Sequence, residues 1–336
     1  MKSMRVYFAN KRTGIGGPTS FQNRIIEKFK RSEIEVLFRG DEIKGGSVLI
    51  ISSTKHIFWI ILCKIKGLKI VQRLDGILWR HKVEKQPVFV KLKHYIINYL
   101  MLFIRNYLAD HVIYQSDFIK QWWHVEYGES PSFESVIYNG VDLNRFSSGN
   151  VSRQKKMLCV EGTLQSDYVT INLLIHVHNL LFSQHFIEET VICGNVDDQL
   201  ITRLSKIKGI RYLGVVPETE MSKIYKSSDL YLSLEINPPC PNAVIEALAS
   251  GLPVIGYDTG SLGDIINPNG GILFKYNGDP FKLDWYDALD IDKTINIFIL
   301  NYKKYVFNAR KIATQRFNID DMAKKYKDVL FNYSQL

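Results

Sequence analysis

The chain has 336 residues, enough for two domains with separate cores, and its 46% apolar and 23% charged residues are typical of globular proteins. The four cysteines are widely spaced and form no CxxC pair, so neither a zinc site nor a disulfide framework is expected. The N-terminus does not show a signal-peptide pattern, and apolar runs such as Ile57–Cys63 and Tyr95–Ala109 are shorter than the roughly 20 residues of a membrane-spanning helix. These features predict a soluble cytoplasmic protein, or one that lies on a membrane.

Positive charge is concentrated in the N-terminal half. Residues 1–148 contain 23 Lys and Arg against 13 Asp and Glu, whereas residues 149–336 contain 20 against 21. The interval from Lys55 to Lys120 alone holds 12 basic and 4 acidic residues. A basic half favours an anionic partner such as membrane phospholipid, a phosphorylated lipid or nucleic acid, and a solvated Lys-rich face is the alternative. Nucleic acid is the least favoured partner, because no recognised nucleic-acid-binding module is found.

Runs of β-branched and aromatic residues alternate with segments of helical length along the chain. The predicted strands of the N-terminal half are Arg5–Ala9, Glu35–Phe38, Ser47–Ser52, Lys69–Arg73, His111–Gln115 and Ser135–Tyr138. Those of the C-terminal half are Lys156–Glu161, Thr190–Gly194, Ile210–Gly214, Leu230–Leu234, Pro253–Asp258 and Gly271–Phe274. Predicted helices include Pro18–Lys30, Val88–Ala109 and a last helix at Asp320–Asn332. This alternation predicts two doubly wound α/β domains, residues 1–148 and 149–336, with the last helix packed on a domain surface and the N-terminal domain as a candidate for that surface.

The segment Asn242–Gly256 has the pattern of a helix followed by a strand. Asn242 is predicted to cap the helix, whose first turn at Ala243 and Val244 would present backbone N–H groups and the positive end of the helix dipole to a phosphate. Glu246, one turn further on, can accept hydrogen bonds from two hydroxyls of a ribose. The segment therefore predicts a nucleotide-binding helix. The alternative is that it has no binding role, because a helix that ends at Gly and Pro before a strand is common in α/β proteins.

Two further groups of residues follow strands of the N-terminal half. Arg73 and Asp75 lie where the fourth strand ends, the edge at which parallel sheets bind ligands. Asp75 is predicted to act as general base toward a hydroxyl of a bound substrate or to orient it, and Arg73 to hold a substrate phosphate. The alternative is an Asp-Gly turn with a surface Arg. Gly16 and Gly17 follow the first strand in a spacing that fits neither the GxGxxG dinucleotide motif nor a P-loop, and a plain turn is the alternative there.

Together these motifs resemble glycosyltransferase family 4, which has the GT-B fold of two facing Rossmann-like domains with an active-site cleft between them. The matching segments are Gly14–Pro18, Val136–Phe146, Tyr212–Pro217, Ile224–Leu230, Asn242–Gly256 and Thr259–Ser261. The resemblance implies a hexosyltransferase-type enzyme that moves a sugar from a nucleotide-sugar donor to a hydroxyl, with retention of configuration and with neither a metal nor another cofactor. A further hypothesis follows from the basic N-terminal half and its apolar runs Ile57–Cys63 and Tyr95–Phe103. It predicts that the enzyme docks on an anionic membrane, at the inner face of the cell membrane, and that the acceptor is a saccharide or lipid-linked saccharide of surface polysaccharide synthesis.

The predicted catalytic residues are Asp75 and Glu246. In the transferase that the resemblance implies, the hydroxyl at Asp75 is that of the acceptor, and the phosphate at Arg73 is that of donor or acceptor. The predicted donor-binding set is Gly16, Gly17, Arg73, Thr163, Asn242, Ala243, Val244 and Glu246.

Two features depart from the family pattern. Pro238 stands where the family usually has a Glu that contacts the donor sugar. The segment Val160–Tyr168 lacks the Arg and Lys that usually clamp the donor diphosphate, so charge neutralisation would rest on the helix N-terminus, the Gly16 and Gly17 amides and Arg73. Two alternatives stay open: a nucleotide-sugar epimerase with the same fold, and a non-catalytic sugar- or nucleotide-binding subunit that activates a transferase.

No metal site is expected from the remaining polar motifs. Asp290 and Asp292 have the DxD spacing of the other major glycosyltransferase fold, but they lie in an acidic region where a loop or helix cap is predicted. His176 and His178 lack a third ligand nearby in the sequence and are predicted as core or surface imidazoles.

Overall fold

The computed structural model describes residues 4–14, 16–149, 154–164, 167–284 and 287–332. Ile15 of the predicted glycine loop lies outside the described residues, as do residues 165–166 of the segment that lacks the Arg and Lys of the family. The chain divides into two compact units. The first unit holds the residues up to Asn139 and those from Asp320 onward, and the second holds Gly140–Ile319. The division therefore falls earlier than the predicted boundary at residue 148, and the end of the chain belongs to the first unit.

The first unit contains a six-stranded parallel sheet with the order β2-β1-β3-β4-β5-β6. Its strands are β1 (Arg5–Phe8), β2 (Glu35–Phe38), β3 (Ser47–Ile51), β4 (Lys69–Leu74), β5 (His111–Tyr114) and β6 (Phe133–Val136). Its helices are α1 (Gly17–Arg31), α2 (Ile57–Ile65), α3 (Val88–Phe103), a π-helical turn (Ile104–Leu108), α4 (Asp117–Tyr127) and the last helix, α11 (Ile319–Phe331). All residues of β3 and β4 are buried, as expected for central strands that are covered on both faces.

The second unit contains another six-stranded parallel sheet, with the order β12-β11-β10-β7-β8-β9. Its strands are β7 (Lys156–Thr163), β8 (Glu189–Asn195), β9 (Ile210–Gly214), β10 (Leu230–Leu232), β11 (Val254–Tyr257) and β12 (Gly271–Phe274). Its helices are α5 (Tyr168–Ser183), α6 (Asp198–Leu204), α7 (Glu218–Lys226), α8 (Asn242–Ala249), α9 (Leu262–Ile266) and α10 (Ala288–Arg316). The prediction of two doubly wound α/β domains is thus confirmed.

The strand order reverses once in each sheet, between β1 and β3 in the first unit and between β7 and β10 in the second. At such a switch point the connections from two neighbouring strands leave in opposite directions, which opens a crevice at the carboxyl ends of these strands. The two crevices are the expected ligand sites of the two units.

Helix α11 completes the core of the first unit. The rings of Phe21 on α1 and Tyr326 on α11 lie 5.1 Å apart, and Tyr326 and Leu330 are fully buried. The hydroxyl of Ser47, at the start of β3, donates to the backbone carbonyl of Leu330 at 2.6 Å. The last helix is therefore an integral part of this unit.

Acidification is expected to destabilise the fold, because the partly buried His111 and the buried His178 resist protonation in the folded state. Burial lowers the pKa of His111 to about 4, with Lys69 adding to the effect and Glu134 opposing it. Burial also lowers the pKa of His178, against a hydrogen bond with the Lys208 carbonyl that raises it. A histidine of the unfolded chain titrates near pH 6.5, so between about pH 4 and 6.5 the unfolded chain binds more protons. The free energy of unfolding should consequently fall as the pH decreases through this window.

Urea denaturation at a series of pH values checks this expectation. The stability should be highest near neutral pH and decrease toward about pH 5. The His111→Asn variant should show a shallower decrease, whereas His185→Asn, at an exposed position, should keep the wild-type slope. An unchanged slope in His111→Asn would contradict the assignment.

Candidate functional site

A buried polar cluster surrounds Arg73 at the carboxyl ends of the strands of the first unit. The residue is only 1% exposed, and its guanidinium donates to the carboxylate of Asp75, to Gln115 Oε1 at 2.6 Å and to Asn139 Oδ1 at 3.0 Å. The guanidinium carbon also lies 4.1 Å from the centroid of the Phe21 ring. The alternative of a surface Arg beside an Asp-Gly turn is therefore wrong. Because the side chains of Gln115 and Asn139 hold the Arg73 guanidinium in place, Arg73 can orient the carboxylate of Asp75.

Asp75 keeps part of its carboxylate accessible. Its side chain is 16% exposed, and Oδ1 accepts from Gln115 Nε2 at 3.2 Å in addition to Arg73. The backbone carbonyl of Asp75 accepts from Trp123 Nε1 at 3.0 Å, which fixes the chain just after β4. A carboxylate held in this way can receive a hydrogen bond from a hydroxyl in the crevice.

Arg12 is a further cation of this site, and no sequence motif marked it. Its Nη2 donates to the backbone carbonyl of Ile51 at 2.6 Å, so the loop after β1 reaches the end of β3 across the switch point. Its backbone N–H donates to Oε1 of Gln22, a buried residue of α1, at 2.6 Å. Burial lowers the pKa of Arg12, the charge of Asp75 raises it and that of Arg73 lowers it. These three charges therefore act on one another at the carboxyl end of the sheet.

Gly16 and Gly17 lie at the start of α1, beside this loop. Gly16 is the N-cap residue and has a φ of 131°, a conformation that side-chain-bearing residues rarely adopt. A Cβ added at either glycine would meet no atom within 4 Å, so the backbone is open to close approach by a ligand. The structure thus brings Gly16, Gly17, Arg73 and Asp75 into one unit.

In the second unit, α8 presents its N-terminus just after the switch point. Pro241 occupies the N-cap position with a ψ of 117°, and Asn242 is the first helical residue with no side-chain cap. The prediction that Asn242 caps the helix is therefore wrong, because the extended Pro241 already takes that place. The amides of Asn242, Ala243 and Val244 still lie in the first turn, where a helix provides them with no backbone acceptor.

Glu246 lies one turn into α8 and is 7% exposed. Tyr225 of α7 contacts this turn, since its hydroxyl donates to the carbonyl of Ala243 at 3.1 Å. Burial raises the pKa of Tyr225 well above its ordinary value, and the charge of Glu246 and a hydrogen bond between the two side chains add to that rise. Tyr225 therefore packs against the first turn of α8, beside Glu246.

Glu161 lies at the switch point of the second sheet. It belongs to the segment that lacks the Arg and Lys of the family, and no sequence motif indicated a role for it. Its Oε1 accepts from the backbone N–H of Leu234 at 3.3 Å, which joins the end of β7 to the segment after β10. The register of β7 against β8 shifts between Val160 and Thr163, and Thr163 lies exposed at the strand end. Gly194 permits this geometry, because a Cβ there would lie 1.8 Å from the Glu161 carbonyl oxygen.

The loop between β10 and α8 contains a buried side-chain amide, that of Asn237, which no sequence motif indicated. Asn237 is 3% exposed, its backbone N–H donates to Thr259 Oγ1 at 3.2 Å, and its Nδ2 has no hydrogen-bond partner among the described residues. The N–H of Ser261 donates to the Pro238 carbonyl at 2.9 Å, so the loops after β10 and β11 are held together. A buried N–H group without a partner is costly, and a ligand or water is its expected acceptor.

Within the described ranges, no group of three or more His, Cys, Asp and Glu residues is arranged to hold a metal ion. His178 bonds to Thr190 Oγ1 at 2.7 Å, and His176 pairs with Asp292 at 2.6 Å. The N-cap of α10 is Asp287, and Asp290 lies in its first turn. The His-x-His and DxD motifs are thus engaged in contacts within the protein.

Comparisons with known proteins agree with this arrangement. Residues 143–286 match the family described as Glycosyl transferases group 1. The glycosyltransferase MJ1607 of Methanocaldococcus jannaschii, itself uncharacterized, is 25% identical over 213 residues, which cover 58% of this chain and 53% of that protein. The chain spans about half the length of the curated relatives that it matches.

Two solved structures share the fold. Sucrose-phosphate synthase from Thermosynechococcus elongatus superposes with a TM-score of 0.72 at 12% identity, over 97% of this chain and 98% of that chain. HepE of Anabaena in complex with UDP and glucose superposes with a TM-score of 0.69 at 18% identity, over 99% of this chain and 100% of that chain. The match to Glycosyl transferases group 1 in the second unit and the two-domain α/β fold along the chain are consistent with the resemblance to glycosyltransferase family 4.

Proposed function

We propose that the protein is a glycosyltransferase that moves a sugar from a nucleotide-sugar donor to a hydroxyl of its acceptor. The observation that carries the proposal is the open first turn of α8 with Glu246 one turn inside it, in the region that matches the family. The amides and the dipole of this turn favour the donor phosphates, and the carboxylate accepts hydrogen bonds from the ribose hydroxyls. The complex of HepE with UDP and glucose supports a nucleoside diphosphate sugar as donor.

The donor sugar is proposed to bind at Glu161 and Asn237, in place of the Glu that Pro238 replaces. Both residues lie at or just after the carboxyl ends of strands that flank the switch point, and Glu161 accepts from the N–H of Leu234, three residues before Asn237. A carboxylate and a buried amide together offer acceptors and donors for sugar hydroxyls. Asn237 Nδ2, which has no partner among the described residues, would gain one in this complex.

The reaction is proposed to retain the configuration at the anomeric carbon and to use no metal ion. The bond from that carbon to the donor diphosphate breaks, a bond to the acceptor oxygen forms on the same face, and the departing phosphate takes the acceptor proton. The first-turn amides of α8 stabilise the charge of the leaving diphosphate. Asp75, oriented by Arg73, is proposed to hold the acceptor hydroxyl.

The acceptor is proposed to be a saccharide or a lipid-linked saccharide of surface polysaccharide synthesis, used at the inner face of the cell membrane. The excess of Lys and Arg in residues 1–148 supports an anionic partner of this kind. Arg12, which is partly exposed, adds a cation near Asp75, and this suits an acceptor that carries phosphate.

A thermal-shift panel of nucleotides and nucleotide sugars tests the donor proposal. A ligand that binds only the folded protein stabilises it by about 2.7 kcal/mol at a concentration of 100 times its Kd. We expect a rise in melting temperature with one nucleoside diphosphate and a further rise with its sugar conjugate. No rise with any member of the panel would contradict the proposal.

The second candidate function is a non-catalytic subunit that binds a sugar or nucleotide and activates a transferase. It is favoured by Glu161, which places a carboxylate in the segment where the family usually has two cations. Incubation of a stabilising nucleotide sugar with a panel of acceptors separates the candidates. A transferase forms a glycoside, an epimerase converts the donor without any acceptor, and a binding subunit leaves the donor unchanged.

A further inference from the structure

A row of large apolar side chains covers the outward face of α3. Its members recur at helical spacing and are each more than half exposed: Val88, Phe89, Leu92, Tyr95, Ile96 and Tyr99. We call this row the α3 stripe. It continues through the ring of Phe103, 6.4 Å from that of Tyr99, to the exposed Tyr107, 5.3 Å further on. A contiguous exposed apolar surface of this kind marks an interaction site.

The opposite face of α3 anchors the helix to the first unit. Asn98 and Met101 are buried there, and the Asn98 side chain bonds to both the N–H and the carbonyl of Leu78, at 3.0 and 2.9 Å. The helix is therefore seated on its own unit by one face, and the α3 stripe is left for another partner.

Helix α2 adds apolar surface on the same side of the sheet. Its residues Phe58, Leu62 and Ile65 are exposed at positions i, i+4 and i+7. Its buried face, with Ile60, packs in one core cluster with Ile104 of the π-helical turn that follows α3. The two helices thus cover the same face of the first sheet.

Cations border this apolar surface. From Arg80 to Lys93 the chain has five Lys and Arg residues and a single acid, Glu84, whose carboxylate pairs with Arg80 at 2.6 Å. Lys82, Lys85 and Lys93 are exposed, and α3 contains no acidic residue. The surface therefore combines apolar side chains with positive charge.

We propose that α3, supported by α2, lies in the headgroup layer of an anionic membrane. The α3 stripe faces the acyl chains, and the neighbouring lysines contact lipid phosphates. None of the helices in the described part of the chain is long and apolar enough to cross a bilayer, so the contact is interfacial. A second copy of the chain would bring lysines against lysines, whereas anionic lipid complements them. The inference rests on the proposed function for the lipid-linked acceptor and names the surface that would bring the enzyme to it.

Co-sedimentation with vesicles tests the inference. The vesicles are phosphatidylcholine alone or with about 30% phosphatidylglycerol, at low and high salt, since each basic residue near an anionic surface contributes appreciably. We expect binding to the anionic vesicles at low salt. Charge reversal by Lys82→Glu, Lys85→Glu and Lys93→Glu, or removal of apolar surface by Phe89→Ser, Leu92→Ser and Ile96→Ser, should each weaken binding at least about tenfold.

Helix α10 of the second unit supplies matched controls. It also exposes apolar residues and lysines, so Ile297→Ser, Leu300→Ser and Phe307→Ser, and Lys303→Glu, Lys304→Glu and Lys311→Glu, make the same changes elsewhere. These variants should bind vesicles like the wild type, and circular dichroism should show that every variant is folded.

Three results would overturn the inference: no vesicle binding by the wild type, equal losses in the α3 and α10 variants, or a self-association that the serine variants of α3 abolish. Nucleotide-induced thermal shifts are measured without lipid. A failure of the membrane proposal is thus distinguishable from a failure of the donor proposal.

Discussion

Replacing Arg73 by Met is expected to lower the free energy of unfolding by about 3–5 kcal/mol, because it leaves a largely buried carboxylate without its cation. Asp75, Gln115 and Asn139 all accept from this guanidinium, and the methionine offers them no donor. Urea denaturation followed by circular dichroism measures the loss.

Arg5→Met is the matched control for this experiment. Arg5 also lies in a strand of the first sheet and pairs with Glu35 at 2.7 Å, but the two side chains are substantially exposed. The expected loss there is at most about 1 kcal/mol. If both variants lose the same stability, the Arg73 cluster does not have the structural role inferred for it. The double variant Arg73→Met/Asp75→Asn should recover part of the loss, since it removes the unpaired charge.

Glu246→Gln is expected to weaken the affinity for the stabilising nucleoside diphosphate about 10- to 100-fold. A hydrogen bond to a charged acceptor contributes about 1.5–3 kcal/mol, and the amide keeps the shape of the side chain while losing its charge. Titration calorimetry measures the change. Glu220→Gln, on the exposed side of α7, should leave the affinity unchanged.

A 2′-deoxynucleotide sharpens the assignment of Glu246 to the ribose. The wild-type protein should bind it more weakly than the ribonucleotide, and the Glu246→Gln variant should discriminate less between the two. Equal discrimination by both proteins would show that Glu246 does not contact the ribose hydroxyls.

The fold could be predicted from the sequence because the strands of parallel sheets are continuous apolar runs. Each of the twelve predicted strands has a counterpart that overlaps it. The largest displacement is at β6, which begins at Phe133 although Glu134 is charged. This carboxylate is accommodated in the strand by the hydroxyl of Tyr114 at 2.7 Å and by His124 at 2.9 Å, contacts that local sequence does not reveal.

The candidate site was predictable only where a single segment contains it. The α8 N-terminus and Glu246 are contiguous, so their pattern could be identified from the sequence alone. Arg12, Glu161 and Asn237 owe their positions to neighbouring strands that are distant in the chain. The length of the loop after β1 and the register of β7 with β10 decide what they reach, and no local motif encodes either property.

The return of α11 to the first unit has a consequence for synthesis of the protein. Domains generally fold as units while the chain emerges from the ribosome, N-terminal first. Here the second unit is one continuous segment, Gly140–Ile319, whereas the first unit lacks the buried Tyr326 and Leu330 until the residues after Ile319 have been made. The inserted second unit can therefore complete its fold before the first unit, although most of the first unit precedes it in the sequence.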